Sequence, residues 1–170
     1  MNNIRIQLVF LFVLLVLLQV AVLNQIHLFG VATPLLYVYF LLKLPVEMNR
    51  NLVLICSFLI GFLIDAFTFT WGINMLAMTV CGFLRFYFIR IFSPRDIFEN
   101  FIPSFSKFGK FQFMGFASVI VIIHHIFVYV GDFFSFLTPL FLTLKIVSSI
   151  LFTLLLIFAF ESVKFNFAKR

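Results

Sequence analysis

Charged side chains are scarce in this sequence: Asp, Glu, Lys and Arg make up 11% of its 170 residues. A soluble domain carries about 25%, so the composition excludes a soluble globular protein. Apolar residues reach 64% of the chain, and phenylalanine alone occurs 29 times. The net charge of +6 comes from basic residues scattered between apolar runs, a pattern typical of membrane orientation signals rather than of a nucleic-acid-binding surface. The sequence therefore predicts an all-α integral membrane protein.

Reactive and metal-binding residues are also few. Cys56 and Cys81 lie in separate apolar runs at different predicted depths, so we expect both to stay unpaired. His124 and His125 are adjacent and point about 100° apart on a helix, which favours core positions or hydrogen bonds between helices over a shared metal ion. The sequence has no nucleophile elbow, zinc-protease motif or phosphate-binding loop. We therefore expect a protein that is not an enzyme and needs no cofactor.

The apolar runs predict a bundle of six transmembrane helices that forms one domain over residues 1–170. A helix needs about 20 apolar residues to cross the hydrocarbon core, and proline, glycine and charged residues mark the ends of the runs. The first run is interpreted as an uncleaved span, because no small-residue cleavage site follows it. A polar, basic tail begins at Glu161. The predicted spans cover about residues 6–23, 34–44, 52–69, 73–92, 115–131 and 139–160.

The distribution of Lys and Arg sets the expected orientation. With six spans, ten of the 12 basic residues fall on one side of the membrane, and the loops after spans one, three and five have none. Basic loops stay in the cytoplasm, so both termini are predicted to be cytoplasmic. Without the short second span, Lys43 and Arg50 would lie outside. The phenylalanine-rich, basic segment 97–113 is expected at the cytoplasmic surface, where it rests on lipid or binds a partner.

Three ionisable residues fall inside the predicted spans, where a charge costs at least ~2.5 kcal/mol on insertion scales. Asp65 and Lys145 both lie roughly 9 Å from the outer edge, as counted from the helical rise. Either they form an ion pair, or Lys145 reaches outward while Asp65 caps the next turn through Thr68 or Thr70. Arg85 lies roughly 12 Å from the inner edge. It is expected to extend toward lipid phosphates or to pair with an acid of another chain.

The stretch around Asp65 and Arg85 resembles a known family. The motifs are Gly61-x-x-x-Asp65, the turn glycine Gly72, Phe83-Leu84-Arg85 and the exit Ile91-Phe92-Ser93-Pro94-Arg95-Asp96, and they are similar to those of the rod shape-determining membrane protein MreD family. The resemblance is specific over roughly residues 58–96 and compositional elsewhere. With the charge argument, it gives a set of residues expected to organise the bundle or to bind a partner. They are Gly61, Asp65, Gly72, Arg85, Arg95, Asp96 and Lys145.

The resemblance implies a non-enzymatic scaffold of the cell-wall elongation machinery, located in the bacterial inner membrane. Family members associate with the bitopic protein MreC and, through it, with a RodA-type glycosyltransferase, a penicillin-binding transpeptidase and MreB filaments. The family's fold is similar to the substrate-binding S component of energy-coupling-factor vitamin transporters. The alternative function is therefore a transporter subunit with a ligand pocket near its outer face. Membrane lipids are also expected partners, and nucleic acid is not.

Overall fold

The computed structural model describes residues 2–26, 32–93, 101–131 and 139–167. In this part of the chain, five helices are long and apolar enough to cross a membrane, so the protein is an all-helical, multi-pass membrane protein. Two shorter α-helices and a 3-10 turn at Leu23–Gln25 lie between them. The α-helices are α1 (Asn2–Ala21), α2 (Val38–Leu42), α3 (Arg50–Thr68), α4 (Ile73–Phe92), α5 (Phe105–Phe108), α6 (Lys110–Gly131) and α7 (Pro139–Phe167).

Helices α3 and α4 form the closest-packed hairpin of the bundle. The Asn49 side chain caps α3 by accepting a hydrogen bond from the Asn51 N–H at 3.0 Å. Gly72 begins α4 with a φ of +82°, a conformation that favours glycine. At Gly61 a Cβ atom would lie 2.5 Å from the Met75 Cα, so the two helix backbones touch there. The short connection and this contact hold α3 and α4 antiparallel.

The structure does not confirm the predicted second span, residues 34–44, as a membrane-length helix. Only Val38–Leu42 is helical, yet residues 34–44 are all buried. Residues 32–44 are called the buried segment below. The N–H groups of Thr33, Leu35 and Leu36 donate to side chains of other helices instead of continuing a helix toward the N-terminus. Hydropathy identified this segment correctly as buried, but protein surrounds it rather than lipid.

The buried segment runs along the bundle from one end to the other. The first turns of α1 and the start of α3 lie together, because Arg5, Pro45 and Asn49 line one cavity. The opposite end of α1 contacts the start of the buried segment, where Gln19 Nε2 donates to the Pro34 carbonyl at 2.9 Å. After α1 the chain therefore returns through the interior of the bundle to the end at which α3 begins. The two ends of the bundle are called the Pro45 end and the Asp65 end.

Three phenylalanines in α5 and just before it pack into the bundle at the Pro45 end. Phe101, Phe105 and Phe108 are 8%, 3% and 1% exposed, and Phe105 makes an edge-to-face contact with Phe113 of α6. The expectation that these rings rest on lipid or bind a partner is wrong, while Lys107 next to them is exposed. Residues 97–100 of that predicted segment lie outside the described residues. Helix α6 consequently begins at Lys110, five residues before its predicted start at Gly115.

Candidate functional site

Asp65 binds the start of α4 from the end of α3. Its carboxylate accepts hydrogen bonds from the Asn74 N–H at 3.1 Å, the Asn74 side-chain amide at 2.9 Å and the Met75 N–H at 2.8 Å. The Thr70 hydroxyl also donates to it. The first N–H groups of a helix lack partners within it, and an anion is favourable beside them. Asp65 therefore caps α4 across the turn, and it is 5% exposed.

The predicted ion pair between Asp65 and Lys145 does not form. The Lys145 ammonium lies 5.1 Å from the centre of the Tyr129 ring, and no ion pair joins it to Asp65. Of the two arrangements left open by the sequence, the structure shows the one in which Asp65 caps its own turn through Thr70. Equal helical depth was not sufficient for pairing, because the side chains of Thr70 and Asn74 already occupy the carboxylate.

A buried hydrogen-bond chain continues from Asp65 into the middle of the bundle. The Tyr37 hydroxyl donates to Asn74 Oδ1 at 2.6 Å and lies 3.0 Å from His124 Nε2. One chain of side chains thus connects α3, α4, the buried segment and α6. His125 Nε2 lies 3.1 Å from Thr153 Oγ1 of α7. The prediction that the histidines take core positions or bond between helices is confirmed: both are fully buried, and the bond of His125 joins α6 to α7.

Arg85 lies inside the bundle with 0% of its surface exposed. Its Nε donates to the Leu41 carbonyl at 2.9 Å, and its Nη2 donates to the carbonyls of Leu44 and, at 3.3 Å, Pro45. These carbonyls lie in the last turn of α2 and just after it, where the last C=O groups of a helix lack partners and a cation is favourable. Because this chain encloses the guanidinium completely, its position does not agree with the expected extension toward lipid phosphates or an acid of another chain.

A second buried charge cluster lies at the Pro45 end and was missed from the sequence. The Lys43 ammonium pairs with the Glu161 carboxylate, and both side chains are at most 7% exposed. The Tyr39 hydroxyl donates to Glu161 at 2.5 Å, and Lys43 donates to the Pro103 carbonyl at 2.7 Å. Glu161 thus belongs to α7 and to the core, not to a polar tail as its position near the C-terminus indicated.

A stripe along α7 is the sequence signal that could have located this cluster. Ser149, Thr153, Ile157 and Glu161 recur every four residues, and each is at most 2% exposed. Residues four apart share one face of a helix. Ser149 and Thr153 accept hydrogen bonds from backbone N–H groups of the buried segment at 3.1 Å each, and Glu161 holds its other end.

The remaining predicted site residues fall into two groups. Gly61 and Gly72 shape the α3–α4 hairpin, the first by close approach and the second by its positive φ. Arg95 and Asp96 lie outside the described residues. Cys56 and Cys81 form no disulfide, as predicted.

A cavity of about 230 Å³ opens at the Asp65 end of the bundle. One part of its wall is apolar and the other carries the Lys145 ammonium and several neutral polar groups. The lining residues are Asn24, Thr33, Leu35, Ile64, Thr68, Thr70, Asn74, Val128, Tyr129 and Lys145.

Comparisons with known proteins give no relative: no family model, curated protein or solved structure matches this chain.

Proposed function

We propose that this chain is a non-enzymatic scaffold subunit of the bacterial cell-wall elongation machinery, as its resemblance to the MreD family implies. One observation carries the proposal. Asp65 and Arg85, the charged residues of the resemblance, bond to backbone groups of neighbouring segments. Groups used in this way position helices and loops instead of acting on a substrate. Both residues therefore organise the bundle that partners would recognise.

We propose that the protein lies in the inner membrane of a bacterium and that its Pro45 end faces the cytoplasm. Basic residues gather there: Arg5 lines the cavity with Pro45, Arg50 stacks on Phe86 at 5.0 Å, and Lys110 lies 5.0 Å from the Phe165 ring. Basic loops are retained in the cytoplasm and attract anionic lipid headgroups. Both termini then lie inside, and membrane lipids contact this end of the bundle.

In this proposal, the buried segment is the sixth crossing of the membrane. Non-helical backbone is tolerated at membrane depth only where protein or water surrounds it, because lipid cannot satisfy its polar groups. The segment meets that condition, since its residues 34–44 are all buried in the described protein. A six-crossing chain brings the N-terminus and the C-terminus to the same side.

A partner helix would bind an outer face of the bundle. Arg85 has no exposed surface and cannot contact an MreC-like protein directly. Apolar side chains are exposed on several faces, among them Phe58 of α3, Phe83 of α4 and Leu151 of α7, at 42%, 55% and 62%. An MreC-like bitopic helix would dock on one of these faces, and RodA, the transpeptidase and MreB would follow through it.

Gentle extraction of the tagged chain, followed by mass spectrometry of the proteins that accompany it, tests the proposal. We expect an MreC-like protein and cell-wall synthases. Recovery of transporter ATPases with a coupling membrane protein would overturn the scaffold proposal. Recovery of neither set from native membranes would also contradict it.

Site-specific photo-crosslinking adds a test of the docking face. A photoreactive residue is placed in turn at Phe58, Phe83 and Leu151, with the fully buried Ile60 as a matched control. We expect one of the three faces to capture the MreC-like protein and Ile60 to capture none. Capture at Ile60 alone would mean that the partner does not bind an outer face.

The second candidate function, a substrate-binding transporter subunit, is favoured by one observation. The cavity at the Asp65 end lies opposite the basic end of the bundle. That is the outer face if the basic end is cytoplasmic, and it is where a substrate from outside the cell would enter. The same extraction experiment separates the two functions, because a transporter subunit would bring its ATPases with it.

A further inference from the structure

The cavity at the Asp65 end has a cation without a counter-ion among the described residues. Lys145 is half-buried and lies about 9 Å along α7 from its first residue, as counted from the helical rise. Its ammonium contacts the Tyr129 ring face at 5.1 Å, and it forms no ion pair with any acid that the structure describes. An ammonium at membrane depth is unfavourable unless water or an anion accompanies it. The open cavity beside Lys145 has room for either.

The other polar groups of the cavity wall are already engaged. Thr68 donates to the Ile64 carbonyl, Thr70 donates to Asp65, and both side-chain N–H groups of Asn74 are used within the turn. Asn24 accepts a hydrogen bond from Gln19 through Oδ1 at 2.7 Å, which leaves its amide N–H groups without a partner in the described structure. The spare N–H donors of the wall are therefore those of Lys145 and Asn24.

These donors specify the charge and the size of a ligand. One ammonium and one neutral amide match a single negative charge with two acceptor oxygens, which is the arrangement of a carboxylate. A phosphate would require more cationic donors than the wall provides. Leu35, Ile64 and Val128 form an apolar part of the wall that suits a short hydrocarbon or aromatic body. The volume of about 230 Å³ restricts the ligand to a small molecule.

We propose that this cavity binds a small monocarboxylate, with its carboxylate on Lys145 and Asn24 and its apolar body against Leu35, Ile64 and Val128. The site does not depend on the scaffold function. It can serve a scaffold that senses a metabolite as well as a transporter subunit that binds its substrate. The outcome of a binding test at this site is therefore separate from the identity of the partner proteins.

Thermal unfolding of the purified full chain in detergent tests the site with pairs of acids and amides. The probes are benzoate against benzamide and butyrate against butyramide, at constant ionic strength. A ligand that binds the folded state raises Tm in a saturable way. We expect each acid to act at about tenfold lower concentration than its amide, because a charge-assisted hydrogen bond is lost in the amide. An equal response to acid and amide, or no response to either acid, would overturn the proposal.

Three variants locate the effect, and two of them, Lys145→Met and Lys107→Met, remove the same charge. Lys145→Met should reduce the response to the acids to that of the amides, and Lys145→Arg should retain part of it. Lys107→Met removes an exposed lysine at the opposite end and should leave the response unchanged. A response to the acids that survives Lys145→Met would place the binding elsewhere and refute the site.

Acylation of the unmodified protein gives a readout that does not depend on a folded variant. A water-soluble N-hydroxysuccinimide ester of acetate labels accessible lysines, and mass spectrometry reports the rate at each. Benzoate should slow the labelling of Lys145, benzamide should not, and Lys107 should react equally in both. Equal rates at Lys145 with and without benzoate would refute the proposal.

Discussion

The two halves of the buried segment are held by different chemistry. Its non-helical half, residues 32–37, offers backbone N–H groups, and neutral side chains accept them: Gln19 at 2.9 Å, and Ser149 and Thr153 at 3.1 Å. Its helical half ends in carbonyls, and the cation Arg85 donates to them. Lys43 lies at that same end and is balanced by Glu161.

This difference follows from which backbone groups each half leaves without a partner. A non-helical segment surrounded by helices has backbone N–H and C=O groups that both need partners. A hydroxyl or amide oxygen accepts such an N–H group without bringing a charge into the membrane. The end of a helix has only acceptors to satisfy, and several converge on one place. A guanidinium is suited to that place because its N–H donors form a fork. An unsatisfied group in this setting costs several kcal/mol, so both halves need these side chains.

Arg85→Met should have the largest effect, because it removes all donors from the end of the helical half. The carbonyls of Leu41, Leu44 and Pro45 would lose their charged partner. Hydrogen bonds to charged groups contribute about 1.5–3 kcal/mol each, so we expect a loss of about 4 kcal/mol in the free energy of unfolding. Equilibrium unfolding in mixed micelles measures it. Arg85→Lys, which keeps the charge but not the fork, should lose less. Equal losses for Lys and Met would show that the fork of donors, and not the charge, makes the contribution.

Glu161→Gln should cost about 3 kcal/mol, since breaking a buried ion pair leaves Lys43 charged and unpaired. The double variant Lys43→Met with Glu161→Gln tests the reason. If the unpaired charge causes the loss, the double variant should be more stable than Glu161→Gln alone in the same unfolding measurement. If the stability losses of the two single variants simply add, Lys43 and Glu161 act independently. The contrast with the non-helical half would then not hold.

The stability contributed by the non-helical half, which neutral side chains hold, should be less sensitive to a single change. Thr153→Val keeps the shape of the side chain but removes the oxygen that accepts the Leu35 N–H and contacts His125. We expect a loss of about 2 kcal/mol, in the range for a buried group left without its partner. Thr143→Val on the exposed face of α7 is the matched control and should change stability by less than about 0.5 kcal/mol. A loss at Thr153 as large as that at Arg85 would remove the distinction between the two halves.

The sequence predicts the membrane class and the α3–α4 hairpin well, because these depend on local patterns. The predicted spans 52–69 and 73–92 differ from the observed helices by at most two residues at each end. The predicted span 34–44 differs from the observed short helix for a physical reason. Hydropathy reports that residues 34–44 avoid water, but it does not report whether lipid or protein surrounds them, and only lipid requires a complete helix.

The candidate site was predictable where its partners are close in sequence. Thr70 follows Asp65 by five residues, so a cap at this turn was one of the two predicted arrangements. The partners of Arg85 are backbone carbonyls, which no residue pattern identifies. The partner of Lys43 is distant, although the spacing of Ser149, Thr153 and Glu161 marks one face of α7. Depth alone paired Asp65 with the wrong cation, because it does not tell which groups already occupy a carboxylate.

The smallest effects should come from removing one hydroxyl in each half, and they give the sharpest comparison because the chemical change is the same. Tyr37→Phe leaves two buried groups, Asn74 Oδ1 and His124 Nε2, without their shared partner. Tyr39→Phe removes one donor from Glu161, which keeps Lys43. We expect losses of about 1.5 and about 0.5 kcal/mol in the free energy of unfolding, because a group left without any partner costs more than one that keeps another. A larger loss for Tyr39→Phe than for Tyr37→Phe would mean that Glu161 needs its neutral donor as well as Lys43. Neutral hydrogen bonds, and not the ion pair, would then limit the stability of the helical half.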